Sequence, residues 1–590
     1  MPMFVKQLKE KTGRVILVYA YGYRENGKVK HRNYETIGFL DELEKQYKDP
    51  VSHFKAEAKE KFKDFKPEEA NRLLLDISKL ANSDNTKKKS LGYLIIKKIY
   101  DEFNIDEILN KAVKKTKSKY SASEALRLLV YSRILYPASK KETYENKDNY
   151  FNLFSNDTLE DLYRCLTVFN DNKDSIVDSI FNNTVKPYKR DLSTTYYDCT
   201  NYYFEIDYND EDLLDEEGNV IEKGFRKRGP EKNHRKDPII EMGLLLDSNF
   251  IPVTYSLFPG NVSEKTSLRP NIKKIKSRYN TSKTVVVADR GLNTSDNTFF
   301  LAGKNTSDDK NNDGYIYGQT IRGASQEFID WALNKDDFIT DEIKDGDKTI
   351  KFIHKSRLEN KEIKIKKDGK RQSKAYTFQK QMIYYSKKYA DRQKKQRDLM
   401  VEKARDMISN PGKYDKATSY GACNYIKDIS FNKQTGEIIT KELELNEDLI
   451  KEEEKFDGYY SIVTSEIDYD DKKIRDIYSN LWKIENTFKV SKTIINSRPV
   501  RVWTKDHIEG HFLTCYISLV IISLLKIKTN NSYSQEELVD SLRKYECAYL
   551  QDNYYMRTYY NETIKELNEI FNLQKLDKKY ILEKTIKKYL

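Results

Sequence analysis

The run Thr284-Val-Val-Val-Ala-Asp289 constrains the fold of this chain more than any other stretch. A short, continuous apolar run rich in β-branched residues, ending in a turn-forming Asp-Arg-Gly, reads as a strand covered on both faces. Such a strand needs a sheet beside it and helices above and below, which makes the fold α/β. The flanking pattern agrees. Thr194 to Ile206, Pro238 to Leu246 and Ile251 to Phe258 read as strands, the last two joined across an Asp247-Ser-Asn turn, and Thr266 to Tyr279 reads as a helix. The order up to Asp289 is therefore β-β-β-α-β.

The 590 residues allow about three to five domains. Residues 1–50 alternate in strand fashion around Glu25-Asn-Gly and form a small β unit, and 51–190 read as helical, with room for a helix-turn-helix. The α/β core begins over 191–319, is interrupted by a polar, Lys-rich stretch over 320–456, and resumes over 457–530, starting at Gly458-Tyr-Tyr-Ser-Ile-Val-Thr464. Helices are expected over 469–493 and 505–527, and a helical C-terminal region over 531–590. The N-terminus lacks the apolar core of a signal peptide. The longest apolar run, Phe512 to Leu525, is short for a bilayer and reads as a buried helix. Five scattered cysteines without a CxxC, and no zinc spacing with the six histidines, suggest a reduced, cytoplasmic setting without a membrane.

Three carboxylates stand out. Asp198 lies mid-strand in Tyr196-Tyr-Asp-Cys-Thr-Asn, where a charge is expensive unless water or metal reaches it; an edge-strand Asp paired with a lysine is the other reading. Asp289 ends the apolar strand, at the carboxyl end of a sheet where ligands of open α/β folds bind, and it also suits a plain turn. Glu485 falls in an expected helix whose apolar face is Ile477, Leu481, Ile484 and Phe488, with Tyr478, Glu485 and Lys492 as a second stripe; a solvated polar face is the alternative. Three acids brought together repel unless they share divalent cations. Two Mg²⁺ or Mn²⁺ ions suit such hard ligands and phosphoryl-transfer chemistry.

Taken as an ordered set, these residues resemble the DDE transposases of bacterial insertion sequences, in the cut-and-paste branch with a long β-rich insertion between the second Asp and the Glu. Tyr197-Asp198-Cys-Thr200 is similar to that family's first acid motif, and Val286-Val-Ala-Asp289-Arg-Gly291 to its second. Tyr478, Trp482, Ile484, Glu485 and Lys492 follow the spacing Tyr-x2-Arg-x3-Glu-x6-Lys, with Leu481 in place of the Arg. The resemblance implies a ribonuclease-H-like core and a helical region binding DNA ends. It further implies a metal site of Asp198, Asp289 and Glu485 that cleaves transposon ends and joins them to target DNA, and a homodimer assembled on DNA at the bacterial nucleoid. DNA contacts are expected from Tyr478, Lys492, Lys489, Arg498 and Arg290, from Lys232, His234 and Arg235 before the second strand, where a plain surface loop is the other reading, and from Trp331 in the insertion, stacked on a flipped base or else simply a buried aromatic. Leu481 leaves two readings: a weakened or inactive DNA-binding derivative, or a structural residue whose charge role passes to Lys483, Lys489 or Arg498.

Charge points to the insertion. Residues 351–405 hold 19 Lys and Arg against 6 Asp and Glu, a net of +13, so the other 535 residues sum to −1 within a chain total of +12. Tyr376, Phe378, Tyr384, Tyr385 and Tyr389 are interleaved with these cations, as suits a surface that meets a nucleic-acid backbone; a Lys-rich solvated surface is the other reading.

Overall fold

All four residues of Val285–Ala288 are buried, and on either side runs a strand parallel to it. The computed structural model describes residues 3–9, 13–25, 28–63, 88–116, 119–154, 158–230, 237–279, 281–303, 313–345, 348–367, 370–416, 418–432, 435–440, 442–550 and 553–590. They fall into two units, Met1–Asp84 with Leu550–Asp552, and Asn85–Tyr549 with Asn553–Leu590.

In the smaller unit, Met3–Lys9, Val15–Glu25 and Lys28–Phe39 form an antiparallel sheet in that order. A helix, Pro50–Lys61, is capped by the Asp49 carboxylate accepting the Ser52 N–H at 3.0 Å, and buries Phe54 and Ala58 with Leu17, Tyr19 and Tyr21. The sequence pattern shows the hairpin, and the structure adds Met3–Lys9 as its third strand.

The larger unit is built on a mixed nine-stranded sheet. Its strands are β1 (Thr194–Tyr203), β2 (Ile239–Leu246), β3 (Pro252–Pro259), β4 (Val285–Ala288), β5 (Gly314–Gln319), β6 (Ile339–Asp345), β7 (Lys348–Lys367), β8 (Lys370–Tyr385) and β9 (Tyr459–Thr464). They lie in the order β6-β7-β8-β9-β5-β4-β1-β2-β3, with β4 parallel to β1 and β5 and every other pair antiparallel. At the expected Asp247-Ser-Asn turn, Asp247 accepts the N–H groups of Asn249 and Ile251 and forms a fully buried ion pair with Arg190 at 2.6 Å.

The Lys-rich stretch, where hydropathy loses its period, contributes β6, β7 and β8. These extend the same sheet, because β9 pairs with β5 on one side and β8 on the other. Helices relevant to the site are α1 (Ala122–Leu135), α2 (Lys140–Glu145), α3 (Glu264–Tyr279), α4 (Lys387–Ser409), α5 (Asp471–Ser479), α6 (Trp482–Thr493) and α7 (Lys505–Lys528). The helix α7 has 24 residues, long and apolar enough by length and composition to cross a membrane, and 94% of its most apolar window is buried within the chain. That all-round apolarity is what a helix enclosed by other helices requires. The C-terminal stretch is not helical throughout. Glu546–Tyr549, Tyr554–Arg557 and Tyr580–Leu582 join Lys88–Ser90 in a four-stranded sheet, since tyrosine and cysteine there favour strand and find a partner far upstream.

Candidate functional site

The sheet register brings the two aspartates together. The ladder between β4 and β1 runs to Val287↔Tyr196, and two residues further along each chain stand Asp289 and Asp198. Strand alternation then decides the face. Tyr197, Cys199, Val286 and Ala288 pack under α3 with Leu268, Ile272 and Ile275. Tyr196, Tyr202, Val285 and Val287 turn to the opposite side and join Ile484 and Phe488 of α6 in the main core. By the same alternation Asp198 and Asp289 belong to the α6 side. The edge-strand reading of Asp198 fails, because β1 is paired on both sides, by β4 and β2.

Asp198 is half-buried and accepts the Cys199 N–H at 2.8 Å. Asp289 is exposed and accepts the Arg290 N–H at 2.7 Å, capping the short turn Arg290–Leu292, so its turn role is real and leaves the second carboxylate oxygen for other partners. Glu485 is exposed in the first turn of α6, where the helix dipole favours a negative charge. Neither Asp289 nor Glu485 forms an ion pair among the described residues.

The sequence suggested one helix over 469–493. Instead α5 ends at Ser479 and α6 begins at Trp482. The Ser479 hydroxyl and the Asn480 amide both donate to the Asp476 carbonyl at 2.9 Å, a side-chain competition that ends a helix. Tyr478 and Glu485 therefore sit on different helices. Tyr478 lies against Gly318 and the Arg290 backbone, filling the space a Cβ at Gly318 would need. Burial pushes the Tyr478 phenol well above its usual range, and Asp289 and, more weakly, Glu485 push it further, so the hydroxyl lies within the field of both acids.

Lys492 donates to the Thr200 hydroxyl, and the Tyr202 hydroxyl meets Ser491 at 2.8 Å, locking the end of α6 onto β1 beside Asp198. Leu481 is partly buried and packs on the main core with Ile477. Lys483 lies 3.7 Å over the Phe250 ring, Lys489 is exposed, and the Arg498 guanidinium lies 5.7 Å from the Tyr203 ring centre. Lys232, His234 and Arg235 fall outside the described residues.

A cleft of about 440 Å³ opens next to Asp289, walled by Arg290, Arg322, Tyr478, Tyr389, Tyr459 and Tyr460. Tyr460 is stacked between Tyr389 at 4.0 Å and Tyr384 at 4.8 Å. The sequence offers Trp331 as a base-stacking candidate, with a buried aromatic as the other reading. Trp331 does not line the cleft; its ring packs on Phe328 and under the Arg357 guanidinium, 4.4 Å away. The tyrosine content of the insertion was the available signal, but composition alone does not say which ring reaches the acids.

Carboxylate oxygens suit Mg²⁺ or Mn²⁺, so the donor chemistry of the three acids fits such ions. Their spacing is open: among the described residues, no group of three His, Cys, Asp or Glu side chains lies close enough to hold a metal ion.

These features define an α/β protein with one acid just past the end of a buried strand, a second within the strand parallel to it, and a further acid on a helix covering that face. The chain belongs to the transposase DDE domain family, whose model matches residues 218–521. The matched span holds Asp289, Tyr478, Glu485 and Lys492, and Asp198 precedes it. A comparison with curated proteins finds no match.

Proposed function

We propose that the chain is an insertion-sequence DNA transposase of the bacterial cut-and-paste branch, cleaving transposon ends and joining the freed 3′-hydroxyl to target DNA. The observation that carries this is the β4–β1 register, which leads Asp289 to Asp198 within a chain of the transposase DDE family. In this reading the core is ribonuclease-H-like, and β6 to β8 are its insertion. Asp198, Asp289 and Glu485 would hold two divalent ions, which would supply activation of the attacking oxygen and stabilisation of the leaving one.

The chain's own residues position the DNA. Tyr478, neutral as a phenol and held beside Asp289, donates a hydrogen bond to a phosphate oxygen there. Lys492, fixed on Thr200, supplies a cation beside Asp198, and Arg290, Lys489 and Arg498 neutralise further phosphates. Pairing two transposon ends requires two copies of the chain, hence a homodimer on DNA. The test is direct. Asp198→Ala, Asp289→Ala and Glu485→Ala should each abolish Mg²⁺-dependent cleavage while leaving DNA binding within about twofold, since none supplies a cation to the phosphates. Cleavage that survives all three substitutions would sink the assignment.

A further inference from the structure

A second polar cavity, of about 200 Å³, opens between α1, α2, the segment 496–501 and α7, and its walls carry Arg133, Lys140, Arg498, Arg501 and His511, with Glu142 the one carboxylate. None of the five basic groups forms an ion pair among the described residues. Arg133 is only 6% exposed and Lys140 4%. Among the described residues, the other buried arginines each have an acid: Arg190 has Asp247, Arg226 has Asp210 and Arg397 has Asp457. Arg133 is the exception. Its Nη1 reaches only the Asn496 carbonyl at 3.4 Å, and its Nε has no hydrogen-bond partner. The Lys140 ammonium contacts only His511 Nδ1, at 2.6 Å, while His511 Nε2 lies 3.3 Å from the Ser497 carbonyl.

Buried cations left without acids are costly, and an anion arriving from outside would supply both the missing counter-charge and strong charge-assisted hydrogen bonds. Burial and the neighbouring cations push the proton affinities of Lys140 and His511 down, as expected for a cluster that lacks its counter-charge. The donors converge from four separate segments and not as one planar fork, which suits a tetrahedral anion better than a carboxylate. We propose that this cavity binds a phosphate-class oxyanion, carried on a DNA strand or free in solution. It lies just past the end of α6: Ser497, which meets His511, also contacts Ser491 at 2.8 Å, and Ser491 contacts Tyr202 of β1. Only the DNA source rests on the transposase reading; the anion site itself does not.

The experiment is thermal unfolding of the full chain titrated with sodium phosphate against sodium chloride at matched ionic strength. A saturable rise in Tm specific to phosphate is expected, with the midpoint weakened about tenfold or more in Arg133→Met and in Lys140→Met, as loss of a charged hydrogen bond predicts. Arg501→Ala, at the exposed rim, keeps the test valid if a buried variant fails to fold, and should weaken the midpoint as well. A midpoint unchanged in every folded variant, or no saturable response, overturns the proposal. Anisotropy with a labelled duplex separates the sources. If the phosphate belongs to DNA, the same variants weaken duplex binding and inorganic phosphate competes with the duplex in the wild type. If the anion is free, duplex binding is unchanged while the phosphate response is lost. A chain that never cleaves DNA would still show the phosphate response, so failure of the catalytic reading is distinguishable.

Discussion

The strand β4 has four residues, all buried, whereas β7 has twenty and alternates buried Phe352 and Ile363 with exposed Lys351, Lys361 and Lys364. Both belong to one sheet. β4 is held from above and below by apolar packing, so its sequence must be apolar. β7 is held mainly along its length by the ladder with β8, so its side chains are free to be charged. Besides the β8–β9 ladder and the burial of Phe352 and Met382 in the main core, part of what ties this extension to the acidic half is polar. His354 of β7 lies 2.7 Å from Asp471, at the start of α5, and Lys380 of β8 reaches the same carboxylate at 2.7 Å. The helix that carries Tyr478 is thereby tied to the basic extension by charge, while the strands that position the aspartates are fixed by burial.

The most severe way to break this contrast is to place the same charge in both strands. Val287→Asp puts an unpaired carboxylate into a fully buried strand and should cost about 4 kcal/mol or more, enough to abolish folding. Lys364→Asp, on an exposed position of β7, should change stability by no more than about 0.5 kcal/mol. Chemical denaturation of both variants measures the difference. Equal losses would mean that the extension is packed as tightly as the core.

The same contrast explains what could be read from residues alone. The β4 run, the β1 to β3 strands and the positions of Asp198 and Asp289 were legible because burial on both faces leaves an apolar signature. The strands β6 to β8 were hidden, since a ladder in a lysine-rich segment has no hydropathy period. The break between α5 and α6 depends on Ser479 and Asn480 choosing the Asp476 carbonyl, a local competition that a 100° periodicity does not register. The cationic cavity gathers Arg133, Lys140, Arg498 and His511 from opposite ends of the chain, and no spacing rule connects them.

A second test concerns charge inside the buried half. Glu241 is 3% exposed within β2, and burial pushes its carboxyl up to about 7, helped by Glu264 and Asp198. An acid with a raised folded pKa favours the protonated native state, so its contribution is complete below the unfolded pKa. It is lost as pH rises from there through about 7. In metal-free buffer, wild-type stability relative to Glu241→Gln should fall by roughly 2 to 3 kcal/mol between about pH 4.5 and 7, then level off. Glu362 of β7, exposed and paired with Lys374 at 3.2 Å, should show no such trend when changed to Gln. A flat difference curve for Glu241→Gln would show that the carboxylate is solvated in solution.

A third test moves to the extension. Lys388, Arg392 and Lys395 are exposed along α4, whose Tyr389 and Gln393 face the cleft beside Asp289. Changing all three to Gln should leave folding intact and make the slope of log K against log salt for duplex binding less negative by about 2 to 3, at roughly 0.9 per phosphate contact. An unchanged slope would confine the DNA surface to the acidic half.

The smallest effect is expected at Leu481, where the family pattern has an arginine. The side chain is partly buried against the main core at the junction of α5 and α6, so it closes the gap where the two helices meet. An arginine there keeps part of that packing through its aliphatic stem and sends the guanidinium outward. Leu481→Arg should therefore lose only about 1 kcal/mol of stability. If the residue is purely structural, duplex affinity stays within about twofold, because Lys492 and Arg290 already supply cations near the acids. A gain of tenfold or more, about 1.4 kcal/mol, would show instead that a phosphate contact was missing at this junction and that the extension cations had been covering for it.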